Sequence, residues 1–331
     1  MNRIAFIVGE TFLFWGPIIL ALAVLAAVCV FLGLYIGKGG KVIGGFAAVP
    51  MAIIASLVLG RLIHWYCRTD QYASFTAAMT DYSTGEYALL GAFVGCLLVA
   101  CLLRIVQATK DLPLMLDCMC LAGAVGIGAG RMMHLFDSSD RGEILEGITE
   151  LPVVYPVANA VTGTPEYRLA TFMLQAIAAG VIFVILLAYF VTGKRRHGDT
   201  CLLFMLFYGA TQIILDSTRY DSLFLRSNGF VSIVQILSAV VMVSSLVVFS
   251  VRLVRSMGWR YWFLALWIPI LGLLGGAGYM EYYVQRHGDK AFFAYSVMGL
   301  CLLLIVIITL VIRGLAMFAL KRKQKETVEV S

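Results

Sequence analysis

Charge is what this chain has least of. Asp, Glu, Lys and Arg make up 13% of its 331 residues and hydrophobic types 61%, against about 25% and about 45–50% in soluble globular domains. A soluble fold is therefore excluded, and the chain reads as an integral membrane protein. Histidine is also rare, with four in all, and the one close cysteine pair, Cys118 and Cys120, has none nearby. Cys29, Cys96, Cys101, Cys201 and Cys301 lie inside apolar runs, where cysteine behaves as a small hydrophobe. No disulfide framework, metal site or cofactor is expected. The apolar runs also lack the strict alternation over about 10 residues that a transmembrane barrel requires.

What is present is a series of long apolar runs. About nine spans are expected, at 11–36, 44–66, 87–108, 113–136, 168–192, 199–217, 229–252, 260–280 and 291–316. Most reach the roughly 20 residues needed to cross a bilayer core as a helix. The expected fold is an all-α polytopic membrane protein. The first run is too long for a signal-peptide core and has only Arg3 before it, so it is expected to remain as a span.

The net charge of +6 needs no nucleic-acid partner, because its distribution explains it. Lys38, Lys41, Lys110, Lys194–Arg196, Arg252, Arg255, Arg260 and Lys321–Lys325 fall in alternate connections nearly free of acids. Those connections are expected to face the cytoplasm. The other connections, 67–86, 137–167, 218–228 and 281–290, carry most of the acids. The amino terminus is then outside and the carboxyl terminus inside. The segment 137–167 holds three prolines, so little regular structure is expected, yet its apolar stretches suggest a packed outer cap. The polar tail 317–331 is expected to fray.

Two G-R-x-x-H sets close spans at the outer side: Gly60-Arg61-Leu62-Ile63-His64 and Gly130-Arg131-Met132-Met133-His134. On a helix Arg131, His134 and Ser138 share a face. Asp137, Asp140 and Gly142 follow. Tyr208, Gln212, Asp216 and Arg219, spaced four, four and three, form a second stripe, and Gln235 is another membrane-embedded amide. Polar groups inside spans face a cavity or a partner; here the bland alternatives are an Asp216–Arg219 ion pair and an amide that glues helices. Arg61, Arg131 and Arg219 suit a phosphate, since guanidinium is a planar fork of donors. His64, His134, Asp137 and Asp216 suit proton transfer. An anionic phospholipid entering from the bilayer is the expected ligand.

These residues resemble the prolipoprotein diacylglyceryl transferase family over about 11–253. The family's G-G-R-L-G element is similar to Leu59-Gly60-Arg61-Leu62-Ile63, and its G-G-L-I-G to Gly91-Ala92-Phe93-Val94-Gly95. Its lead-in D-F-I-A-P is similar to Asp117 onward, and its G-A-G-R core stands intact at Gly128–Arg131, with Gly142 eleven residues further on. Its Y-G-x-x-R-x-x-x-E-x-x-R run resembles Tyr208 to Arg219, and its G-Q-I-L-S run resembles Val234–Ser238. The resemblance implies a seven-span bacterial inner-membrane enzyme with an outside amino terminus. Such an enzyme moves the diacylglyceryl group of phosphatidylglycerol to the lipobox cysteine of a prelipoprotein signal peptide and releases glycerol phosphate. Residues 1–253 would be that core, 254–316 two additional helices, and 317–331 a basic cytoplasmic tail.

The departures concern chemistry. The family's H-G-G histidine falls at Leu90, and its two asparagines and glutamate at His134, Asp137 and Ser139. Its sixth-span arginine and glutamate fall at Gln212 and Asp216, its first-span tyrosine at Trp15, and the glutamate of its H-P-S-Q-L-Y-E stretch at Gln175. Under the resemblance Arg131, Arg61 and Arg219 hold the lipid phosphate. His134, Asp137 and Asp216 are the catalytic candidates, with Gly130, Gly142, His64, Tyr208, Gln212 and Gln235 in support. Two alternatives stand beside this reading. One is a divergent member that binds phospholipid or serves another acceptor. The other is a membrane transport or structural protein, which would favour broken helices at the membrane midplane.

Overall fold

A computed structural model describes residues 4–8, 11–80, 87–136, 140–144, 153–158, 162–192, 196–225, 231–287 and 290–330. A short hairpin of β1 (Ile4–Val8) and β2 (Thr11–Phe14) precedes α1 (Trp15–Gly37), α2 (Val42–Cys67), the short α3 (Phe75–Thr80), α4 (Leu89–Ile105) and α5 (Leu112–Arg131). Next come a second hairpin, β3 (Val154–Ala158) and β4 (Pro165–Leu169), then α6 (Thr171–Val191), α7 (Asp199–Ser217), α8 (Ile233–Met257), α9 (Trp262–Arg286) and α10 (Ala291–Val330). Among the described residues, eight helices are long and apolar enough to cross a membrane, and α4 is a shorter apolar helix of 17 residues. The all-α polytopic membrane fold stands as expected.

Four local expectations are corrected. Residues 11–14 are strand β2, not the start of a span, because a short apolar run reads equally well as strand or helix. Despite its prolines, 137–167 contributes an antiparallel hairpin, with Pro156 opposite Tyr167 and Ala158 opposite Pro165. Every strand of a two-stranded hairpin is an edge, where a proline whose nitrogen faces away from the partner strand costs no ladder bond. Arg219 does not continue the stripe of α7, since that helix ends at Ser217. The tail does not fray at 317: α10 runs helical to Val330, as its Lys, Gln and Glu residues favour helix despite being polar.

By its internal packing the chain divides into two units. The first is Met1–Phe204 with Thr218–Val234. Within it, α2 meets α4 through the two glycine motifs. A Cβ on Gly91 would stand 2.1 Å from the Gly60 amide nitrogen, and one on Gly95 would stand 2.9 Å from Ala55 and Ser56 backbone. Small residues replace side chains in this crossing, as in membrane helix pairs generally. Helix α5 lies between α1 and α6: Gly126 faces Ala27 and Gly130 faces Leu20 on α1, while Gly128 faces Ala176 on α6. Added Cβ atoms there would meet neighbours at 3.3–3.8 Å, so this glycine run eases packing without being sterically obligatory.

Two carboxylates begin helices in this unit. Asp111 accepts from the Leu114 amide at 3.0 Å, with Pro113 in the first turn of α5. Asp117 is buried on α5 and accepts from the amides of Gly198 at 2.9 Å and Cys201 at 2.8 Å, fastening the start of α7. An anion at a helix amino terminus satisfies orphan N–H groups and matches the helix dipole. Asp117→Ala is expected to cost about 1–2 kcal/mol by analogy with lost caps. A lowered thermal unfolding midpoint of the solubilised protein would register it, and an unchanged midpoint would refute the capping role.

The second unit is Met205–Ser217 with Gln235–Ser331. Its core joins Leu206, Ala210 and Met242 to Ala277, Met298 and Leu302. Gly209 lets α7 and α8 approach closely, since a Cβ there would lie 2.7 Å from the Ser238 carbonyl.

Candidate functional site

The centre of the first unit's polar cluster is a residue that the sequence presents only as one acid of a loop. Asp140 is 2% exposed and has φ of +54°, a left-handed conformation that Asp tolerates better than most residues. Its carboxylate pairs with Arg131 through Oδ2 and with Arg219 through Oδ1, the latter at 2.5 Å. His134 Nε2 reaches the same Oδ2 at 3.2 Å. Arg131 closes α5, and His134 sits on the 3₁₀ turn Met132–Leu135 that follows. At i and i+3 these side chains eclipse on such a turn, so the shared face expected from sequence brings both to one carboxylate.

Backbone pairing holds the cluster in place. Gly142 and Arg219 form an antiparallel bridge, and the Tyr220 amide donates to the Arg141 carbonyl at 2.9 Å. The Gly142 amide donates to Leu169 of β4 at 2.7 Å, and the Phe172 amide at the head of α6 donates to the Asp140 carbonyl at 3.2 Å. Two chain segments, 169–172 and 219–220, therefore converge on 140–142. Gly142 is required by that convergence, because a Cβ would lie 2.8 Å from Leu169, Thr171 and the Thr218 carbonyl. The glycine that the family resemblance picks out at this position thus has a steric reason.

Two further residues complete the cluster. Asp221 accepts from Arg219 Nε at 3.1 Å and from the Asp140 amide at 2.9 Å. Arg141 is buried between the rings of Tyr155 and Phe172, at 4.4 and 4.5 Å, and donates to the His134 carbonyl at 2.8 Å. Among the described residues, three guanidiniums stand against two carboxylates in this cluster. Trp15 stacks on Phe136, just past the turn, with ring centroids 5.9 Å apart.

The other nominated residues fall in other settings. Arg61 is buried on α2, donates from Nε to the Ala78 carbonyl at 2.6 Å, and lies over the rings of Tyr72 and Tyr87 at 5.0 and 5.5 Å. His64 Nδ1 meets the Tyr72 hydroxyl at 2.8 Å. The echo of G-R-x-x-H thus serves a corner of α2 and α3 at its first occurrence. Tyr208, Gln212 and Asp216 are buried on α7 in the second unit, and Gln235 of α8 donates to the Ile213 carbonyl at 3.2 Å. Gly130 has ordinary surroundings. Asp137 lies outside the described residues.

Sequence reasoning missed Asp140, Arg141 and Asp221. The local string Asp140-Arg141-Gly142 was visible, but nothing in its spacing says that Asp140 lies between Arg131 and an arginine 79 positions away in the chain.

Comparison with known proteins bears on this geometry. Residues 3–251 match the family model described as prolipoprotein diacylglyceryl transferase. Among curated relatives, the phosphatidylglycerol–prolipoprotein diacylglyceryl transferase of Finegoldia magna is 24% identical over 198 residues, covering 59% of this chain and 74% of that protein. The protein of the same name from Lactococcus lactis subsp. lactis is 26% identical over 211 residues, covering 63% and 77%. That from Limosilactobacillus reuteri is 26% identical over 223 residues, covering 65% and 76%.

Proposed function

Because this chain belongs to the prolipoprotein diacylglyceryl transferase family, we propose that it transfers the diacylglyceryl group of phosphatidylglycerol to the lipobox cysteine of a prelipoprotein. The observation that carries the reading is the single carboxylate, Asp140, shared by Arg131, Arg219 and His134. Two arginines aimed at one point suit a phosphodiester, and an imidazole beside them suits proton transfer.

In this reading Arg131 and Arg219 hold the lipid phosphate. His134 turns Nε2 to Asp140, so Nδ1 receives the proton of the acceptor thiol. A thiol needs only modest help to become thiolate. The thiolate sulfur forms a bond to the glyceryl carbon, and the carbon–oxygen bond to phosphate breaks. The electron pair leaves on glycerol phosphate, where the two guanidiniums stabilise the added charge. Such preorganised stabilisation is commonly the largest catalytic contribution. Asp140 aligns the arginines and orients the imidazole. Arg61, packed against Tyr72 and Tyr87, braces the α2–α3 corner. Asp216, Gln212 and Tyr208 form a polar wall on α7, and Asp137 is a second candidate base. Residues 1–253 are the transferase core, in a bacterial cell membrane, with the amino terminus outside and the basic carboxyl end in the cytoplasm.

The test mixes purified protein, phosphatidylglycerol vesicles and a lipobox peptide, and weighs the peptide by mass spectrometry. A diacylglyceryl mass increase is expected, and its absence under conditions that support an authentic enzyme would sink the proposal. Arg131→Ala is expected to weaken phosphatidylglycerol binding at least tenfold, in line with the worth of a charge-assisted contact. Unchanged binding would place the phosphate elsewhere.

A further inference from the structure

The turn that carries His134 is a short one. Helix α5 ends at Arg131, and a single 3₁₀ turn, Met132–Leu135, follows it. The last carbonyls of a helical segment have no partner within it, and a 3₁₀ turn has poorer hydrogen-bond geometry than an α-helix. The aim of such a turn therefore depends on what meets those carbonyls from outside. Here Arg141 donates from a terminal guanidinium nitrogen to the His134 carbonyl at 2.8 Å, and the Tyr155 hydroxyl of β3 donates to the Leu135 carbonyl at 3.3 Å. The Tyr155 ring also backs the Arg141 guanidinium at 4.4 Å, with the Phe172 ring of α6 at 4.5 Å. Aromatic faces attract a desolvated cation, and Arg141 is buried.

Asp140 and Arg141 are consecutive, and both act on His134. Asp140 takes the ring at Nε2, and Arg141 takes the main chain at the carbonyl. Their own backbone is tied down. The Asp140 carbonyl accepts from the Phe172 amide, and the Arg141 carbonyl accepts from the Tyr220 amide, one residue past Arg219. A histidine held by its ring alone can shift with the turn beneath it, whereas one gripped at ring and main chain is fixed. We propose that Arg141 is a positioning residue: it clamps the turn Met132–Leu135 through the His134 carbonyl, with Tyr155 as its backing, and so fixes the imidazole against Asp140. This rests on the reading of His134 as the base.

Arg141→Lys keeps the charge and loses the planar guanidinium that both stacks and donates. Tyr155→Phe keeps the ring and loses only the hydroxyl. Both are made in the full chain, solubilised with phosphatidylglycerol and isotope-labelled at the histidine rings for nuclear magnetic resonance. The chain has four histidines, and the ring signal missing from His134→Gln is that of His134. That signal is expected to move in Arg141→Lys, and less so in Tyr155→Phe, while the other three stay. With a lipobox peptide, Arg141→Lys is expected to lose about tenfold in kcat, since a misplacement of about 1 Å can cost about a hundredfold, with KM for phosphatidylglycerol within about twofold. Added to His134→Gln it should cost nothing further in kcat, because a residue acting only through the imidazole then has nothing left to position. The proposal is overturned if the His134 signal stays still in Arg141→Lys, if the loss lies in KM, or if the loss recurs in full on the His134→Gln background, as a general loss of stability would make it. Should Arg141→Lys not fold, Tyr155→Phe takes its place: a shifted His134 signal supports the clamp, and an unshifted one overturns it. The ring spectrum needs no turnover. An inactive wild type therefore defeats the transferase reading, and the same signals still test how His134 is held.

Discussion

Replacing Asp140 with alanine is expected to lower transfer about 10²–10⁴-fold, the usual range for losing acid–base assistance, and to destabilise the protein by about 3–5 kcal/mol. Both effects come from one carboxylate. Arg131 and Arg219 approach each other only because Asp140 lies between them, with side-chain exposures of 14%, 13% and 3%. Without it, two weakly hydrated guanidiniums face each other with their shared countercharge gone. Breaking a buried ion pair by removing one partner leaves a buried charge uncompensated, which is why the cost exceeds the worth of a surface pair. His134 loses the partner that sets its ring orientation. Asp140→Asn keeps the volume and one acceptor but not the charge, and is expected to restore only a minor part of the stability and little of the turnover. The measurements are the thermal unfolding midpoint in detergent and kcat with a lipobox peptide. A near-normal kcat in Asp140→Ala would remove Asp140 and the orientation of His134 from the mechanism.

The second large effect concerns assembly. Gly91→Leu is expected to prevent α2 and α4 from packing as they do, with a stability loss beyond the usual 1–3 kcal/mol or so of overpacking. Contacts below 3 Å can sometimes be relieved by a flexible side chain, but here the obstacles are backbone. The new Cβ would lie 2.1 Å from the Gly60 nitrogen, 2.3 Å from its Cα and 2.4 Å from the Leu59 carbonyl carbon. The helices must separate, and Arg61, one residue beyond Gly60, moves with them. Gly123→Ala is the control, since nothing lies within 4 Å of a Cβ there. It is expected to change stability by less than about 0.5 kcal/mol, as uncrowded substitutions usually do. Comparable thermal midpoints for the two variants would refute the close crossing.

These two cases show what kind of information each level holds. Gly91 and Gly60 were legible as motif glycines, but that they face each other is a property of the crossing. Arg131 and His134 were legible as a pair because their spacing is local. Asp140 was not, because its importance arises from Arg219, which reaches it through the Gly142–Arg219 bridge. The helical stripe on α7 was read one residue set too far. Periodicity carried it to Arg219, although the helix stops at Ser217 and the chain turns.

The sequence by itself determined the solvent, the series of long apolar helices to within the short α4, and the family; it also placed Arg131 and His134 on one face. Those conclusions depend on hydrophobic run length and local spacing, which are properties of short windows. Only the tertiary structure decided which carboxylate joins the arginines, and that Arg61 lies over the rings of Tyr72 and Tyr87 at a corner of α2 and α3. Ion pairs and helix crossings join residues far apart in the chain. Their energy depends on distance and burial, and neither exists until the chain has packed.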